Sequence, residues 1–80
     1  MVVETRSAPR YRVMKAAKIK FGGIIILCTI RDLSATGAAL EISNPDEIPS
    51  EFNLLVPGDR LNLPCRVDWR REFRIGVAFD

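Results

Sequence analysis

Eighty residues with a formal net charge of +2 and 28% charged side chains bound one small globular domain. There is no histidine, and the two cysteines, Cys28 and Cys65, lie far apart inside apolar runs. That removes the commonest general base, the commonest metal ligand and any zinc-type spacing, so an enzyme is not expected.

Residues 1–9 read as a mobile arm, because Thr5, Ser7 and Pro9 suit neither a helix nor a central strand. Residues 1–20 carry Arg6, Arg10, Arg12, Lys15, Lys18 and Lys20 against Glu4 alone. A basic arm of this kind serves either an anionic partner or solubility. From Arg10 to Phe21 the residues Tyr11, Val13, Ala17, Ile19 and Phe21 share one parity, which predicts a half-buried strand. Gly22-Gly23 predicts a tight hairpin turn with both residues at positive φ. Ile24 to Arg31 predicts a β-branched strand that is apolar on both faces, and Ala38 to Ile42 the next strand. Residues 43–51 hold two prolines and predict a loop, with Asp46 and Glu47 on a solvated surface. Phe52 to Val56 predicts a fourth strand, and Pro57-Gly58-Asp59 a type II turn. Arg60 to Arg70 predicts a fifth strand, with Leu61, Leu63, Cys65, Val67 and Trp69 on one face. Pro64 there implies an edge position or a bulge. After a turn at Arg70 to Phe73, Arg74 to Phe79 predicts the last strand.

Six short strands imply an antiparallel barrel or a compact sandwich, and closure would remove exposed edges. Both cysteines read as reduced and buried. Charges run through residues 1–20, and no apolar run approaches the ~18 residues of a membrane span. A cytoplasmic protein with no membrane insertion is expected.

Two stretches carry more polar chemistry than turns require. Arg6 and Arg10 lie four apart, and each guanidinium offers a planar fork for phosphate oxygens. Asp32-Leu33-Ser34-Ala35-Thr36-Gly37 follows the most apolar run in the chain. Asp32 and Ser34 are two apart, so in an extended backbone they share a side. An ionised carboxylate matches the two adjacent N–H donors of a guanine edge, and Ser34 offers a donor to phosphate. The same residues also suit an Asx- or ST-turn closing the strand end. Trp69 is either core or, beside Arg70 and Arg71, a stacking wall for a base.

Arg6-Ser7-Ala8-Pro9-Arg10 followed by Asp32-Leu33-Ser34-Ala35-Thr36-Gly37 resembles the PilZ domain family, bacterial receptors for cyclic di-GMP, whose pattern is Arg-x-x-x-Arg and then Asp/Asn-x-Ser-x-x-Gly. The ending, Val67-Asp68-Trp69 and then Arg74-Ile75-Gly76-Val77-Ala78-Phe79, is similar to the family's last strand pair. The resemblance implies an all-β fold, a six-stranded antiparallel β-barrel spanning residues 10–80 behind the arm, in a single domain of residues 1–80. It implies a non-enzymatic receptor or adaptor for cyclic di-GMP, with no other cofactor and a downstream protein partner. Arg6 and Arg10 would meet phosphates and guanine faces. Asp32 and Ser34 would meet a guanine edge and a phosphate, Gly37 would shape the turn, and Trp69 with Arg71 would flank a base. Two alternatives are a PilZ-like interaction module that no longer binds the nucleotide and a small barrel binding single-stranded nucleic acid without sequence specificity. The chain departs from many members at Thr5 and Ser7, where they carry further arginines. Its short ends suggest a stand-alone domain without an upstream effector or a carboxy-terminal helix.

Overall fold

The computed structural model describes residues 11–80, so the expected arm, with Arg6 and Arg10, lies outside the described residues. Six strands follow in chain order: β1 (Tyr11–Phe21), β2 (Ile24–Leu33), β3 (Gly37–Glu41), β4 (Glu51–Val56), β5 (Leu61–Arg71) and β6 (Arg74–Phe79). All pairings are antiparallel, and the strands close into a barrel in the order β1-β2-β3-β6-β5-β4. The architecture is therefore the all-β six-stranded barrel, not the sandwich.

Alternation supplies the core. Each strand gives one side chain that is essentially sealed from water: Ile19, Ile30, Leu40, Leu54, Cys65 and Ile75. Among the described residues no charged or polar side chain is buried with them. Cys28 joins this cluster, and both cysteines are free thiols, as expected. Burial pushes the Cys28 thiol up to about 12 and the Cys65 thiol up to about 11, because a thiolate in the barrel interior would lose its hydration.

Local sequence sets the turns. Gly22 and Gly23 sit at φ 52° and 81°, the paired positive φ of a two-residue hairpin turn. The type II turn expected at Pro57-Gly58-Asp59 is absent. Val56 pairs with Leu61, which leaves a four-residue loop that winds as a 3₁₀ turn over Pro57–Asp59. The left-handed step then falls on Arg60, at φ 56°, and not on Gly58. Pro64 is neither at an edge nor in a bulge. It pairs with Asn53 of β4, and its carbonyl accepts the Asp80 N–H at 3.0 Å just past the end of β6, so its missing N–H removes a bond only where that ladder runs out.

One expectation about faces is corrected. Tyr11, Leu61 and Trp69 share parity with core residues yet are exposed, the first two because they stand at strand ends beyond the core cluster. On β2, apolar along both faces as expected, Ile24, Ile25 and Leu27 are exposed, and β3 pairs only with Thr29 to Leu33. Among the described residues the rest of β2 therefore has no partner on its outer edge.

Candidate functional site

The outer wall is organised by three slips in register. Along β2, Cys28 and Ile30 point inward, and strict alternation would send Asp32 inward as well. Between Ile30 and Asp32 the pairing with β3 shifts by one residue, so that Ile30 faces Leu40 and Asp32 faces Ala39. This bulge returns Leu33 to the core and turns Asp32 outward. The extra residue, Arg31, reaches Glu41 of β3 at 2.9 Å and pins the kink from outside. On the other side, the pairing of β1 with β2 also shifts, between Arg12 and Lys15, and Arg12 stands opposite Asp32. In β5 the slip falls between Val67 and Trp69, and Trp69 comes to lie opposite Gly76. The bulge, not a strand end, is what takes Trp69 off the core face.

These slips align one row across four neighbouring pairings: Arg12, Asp32, Ala39, Gly76 and Trp69. Asp32 and Trp69 are three strand steps apart, roughly 14 Å along the curved wall at about 4.8 Å per step, and three steps are half the circumference of a closed six-stranded barrel. Between them the outward positions are all small. Gly37 faces Ala78, and Ala39 faces Gly76. The result is a curved strip of small residues on β3 and β6, with Asp32 and Arg12 beyond one edge and Trp69 beyond the other. Trp69 lies over that strip: a Cβ added at Gly76 would run into its indole ring, and Gly76 and Ala39 are both buried. The Arg71 guanidinium sits 5.0 Å from the ring centroid, a cation–π contact that steadies the same wall. Among the described residues the Asp32 carboxylate takes part in no ion pair, and it is half-buried.

The turn after β2 behaves differently from the extended backbone expected there. The strand ends at Leu33, so Ser34 does not share a strand face with Asp32. Its Oγ accepts the N–H groups of Thr36 and Gly37, each at 3.2 Å, and donates to the Gly37 carbonyl at 3.3 Å. The Ser34 N–H also donates to the Gly37 carbonyl, at 2.9 Å. The Thr36 hydroxyl lies equally near, at 3.3 Å, so the Ser34 hydrogen has two acceptors within reach; this is the ST-turn that the sequence offered as the other possibility. The Phe79 N–H donates to Thr36 O at 2.8 Å and ties the turn to β6. Gly37 does not need positive φ. It needs to lack a Cβ, which would overlap the Val77 carbonyl oxygen.

The structure places Asp32 and Trp69 in one row round the outside of the barrel, with Gly37 on a strand between them and Arg71 over the Trp69 ring, and it gives Ser34 to the turn after β2. Arg6 and Arg10 lie outside the described residues. Arg12 and the strip residues Ala39, Gly76 and Ala78 were not anticipated. Their signal is present in the sequence: Gly37 and Ala39, like Gly76 and Ala78, alternate with core residues, so two paired strands show only small side chains outward.

The class defined so far is a closed small β-barrel with a row of small residues on its outer wall. The family model of the PilZ domain matches residues 4–80, nearly the whole chain, and the protein belongs to the PilZ domain family. The family is one of cyclic di-GMP-binding receptor domains, generally without enzymatic activity. No curated protein matches the chain. Among the described residues no helix is long and apolar enough to cross a membrane.

Proposed function

We propose that this protein binds cyclic di-GMP on the wall formed by β2, β3, β6 and β5, and acts as a non-enzymatic receptor or adaptor in bacterial second-messenger signalling. The observation that carries the reading is the row from Asp32 to Trp69 across a strip of glycine and alanine. A strip of small side chains leaves room for a planar base, and a carboxylate at its edge suits the paired N–H donors of guanine. One such bidentate contact contributes about 1–3 kcal/mol of base discrimination. Trp69, held by Gly76 and Arg71, offers a stacking face of comparable magnitude, about 1–3 kcal/mol per base. Arg6 and Arg10 supply the two guanidinium groups for the phosphates. Arg12, opposite Asp32, adds a third cation to that side of the strip. Ser34 reaches a phosphate only by releasing its hydrogen from the turn, where the Gly37 carbonyl and the Thr36 hydroxyl both lie at 3.3 Å, long and therefore weak bonds. No further cofactor is required. The protein works in the cytoplasm, and the bound nucleotide changes the surface offered to a downstream protein.

Calorimetric titration with cyclic di-GMP, beside the linear dinucleotide and GTP, tests this. Saturable heat with cyclic di-GMP is expected at tens of micromolar protein, roughly the range in which a complex of about −7 kcal/mol is visible. No heat and no NMR shift at that concentration would refute binding and leave an interaction module.

A further inference from the structure

The β1–β2 hairpin extends past the strands that cover it. β1 pairs with β2 down to Phe21↔Ile24, but β3 begins pairing only at Thr29↔Glu41. Among the described residues no strand lies beside the other edge of residues 24–28. The two-residue turn makes Phe21 and Ile24 a hydrogen-bonded pair, so by alternation Ile25 and Leu27 direct their N–H and C=O groups away from β1, into that open edge. An open space of about 370 Å³ adjoins it, lined among others by Leu27, Cys28, Thr29, Ile42 and Phe73. The edge carries none of the usual protections. Its sequence is Ile24-Ile25-Ile26-Leu27-Cys28, without a charge, a proline or a bulge, and Ile24, Ile25 and Leu27 are 50%, 54% and 72% exposed.

We propose that this edge pairs with the same edge of a second copy of this chain, forming a two-fold symmetric dimer through an antiparallel β2–β2 ladder. The register follows from which groups are free. Placing Ile25 opposite the partner's Leu27, and Leu27 opposite the partner's Ile25, satisfies all four outward N–H groups and all four C=O groups, with the axis at Ile26. The segment then ends where β3 begins on each copy, so the ladder spans five residues and no more. Self-pairing is favoured over a charged partner because the facing segments are uncharged and wholly apolar. Lys18 and Lys20 stand one strand back on β1, opposite Leu27 and Ile25, so the two copies' lysines are separated by both β2 strands. This contact lies on the far half of β2 from Asp32 and is independent of the ligand reading.

Sedimentation velocity on the full chain, without nucleotide, from about 10 µM to about 1 mM covers the range in which an interface well below ~1,200 Å² associates. A monomer–dimer equilibrium that saturates at two is expected. Leu27→Lys, which places a charge on an exposed position, should shift the midpoint at least tenfold toward monomer while leaving the melting temperature close to wild type. Ile25→Pro, which removes an outward N–H without touching the β1 ladder, should do the same. Hydrogen exchange of the wild type is independent of whether these variants fold. The Ile25 and Leu27 amides should gain protection as concentration rises, while the core amide of Ile30 should not change. A monomer at the highest concentration, open-ended association, folded variants that still dimerise, or full protection of both amides at the lowest concentration would each overturn the proposal.

Discussion

Replacing Gly37 by alanine separates two roles that the motif glycine can play, opening the backbone to a ligand or admitting a neighbouring strand. The structure assigns the second. A Cβ at Gly37 overlaps a backbone oxygen, that of Val77, and a backbone atom cannot swing aside as a side chain can. β3 and β6 must therefore part where Gly37 pairs with Ala78 and where the Phe79 N–H meets Thr36 O at 2.8 Å. Overpacking of this kind costs about 1–3 kcal/mol, and weakening one backbone hydrogen bond adds roughly 0.5–1.5 kcal/mol. The loss of unfolded-state freedom on changing glycine to alanine offsets about 0.4–1 kcal/mol. A net loss near 2 kcal/mol corresponds to a melting temperature lower by roughly 8–16 °C in a domain of this size. Thermal unfolding followed by circular dichroism measures it. Gly58→Ala is the internal control, since its Cβ would meet open space and its φ is not positive. It should melt at or slightly above wild type. A Gly37→Ala protein melting within about 2 °C of wild type, or a Gly58→Ala protein equally damaged, would refute the steric account.

Gly76→Ala should push the indole of Trp69 off the strip, seen as a red-shifted emission of the chain's one tryptophan, with a smaller stability loss than Gly37→Ala because the obstructing group is a side chain. Asp32→Ala should weaken cyclic di-GMP binding by about 5- to 150-fold, equivalent to roughly 1–3 kcal/mol, with the melting temperature little changed; a large drop in melting temperature at unaltered affinity would make Asp32 a structural cap. Alkali should destabilise the protein through its thiols. Their folded values, about 12 and about 11, lie above the ordinary 9.0, so the stability they hold is complete below pH 9.0 and is lost as pH rises from there through the folded values. The slope reaches at most about 1.4 kcal/mol per pH unit for each thiol, and urea melts of wild type against a Cys28→Ala, Cys65→Ala variant should show the variant losing stability less steeply above pH 9.

The strands were legible because alternation is a local property. Ile19, Leu54 and Ile75 announce their faces through their immediate neighbours, and Gly22-Gly23 announces its turn. Faces became illegible wherever one residue was added to a strand. Nothing in Ile30-Arg31-Asp32 or Val67-Asp68-Trp69 marks the extra residue, because a bulge is defined by the partner strand, which single-sequence parity does not see. Ser34 was misplaced for a related reason. Its side-chain bonds to Thr36 and Gly37 compete with extension of the strand and win once Leu33 is seated in the core. The loop at residues 57–60 depended on the pairing of Val56 with Leu61, again a long-range fact.

The position of those bulges explains how so small a barrel sets Asp32 and Trp69 on its outer surface. A closed six-stranded wall that alternates without interruption fills its inner face with apolar side chains and its outer face with solvated polar ones. Here the bulges at Arg31 and near Asp68 flank the β3–β6 pair, which itself stays in regular register from Gly37↔Ala78 to Glu41↔Arg74. The regular pair can therefore stay tiled with glycine and alanine. The kinked strands on either side turn Asp32 and Trp69 outward. Each bulge forfeits ladder pairing, a cost the core can bear because Leu33 and Val67, the residues adjoining the slips, still pack inward. Removing the extra residue tests the coupling: with Arg31 deleted, Asp32 follows Ile30 directly, so uninterrupted alternation keeps Asp32 outward and Leu33 inward, with Ile30 opposite Leu40 and Asp32 opposite Ala39 as before. What goes with the residue is the kink and its ion pair to Glu41. The deletion variant should therefore fold cooperatively in a circular dichroism melt and keep Leu33 packed inward. A deletion variant that does not fold would show that Arg31 does more than set the register.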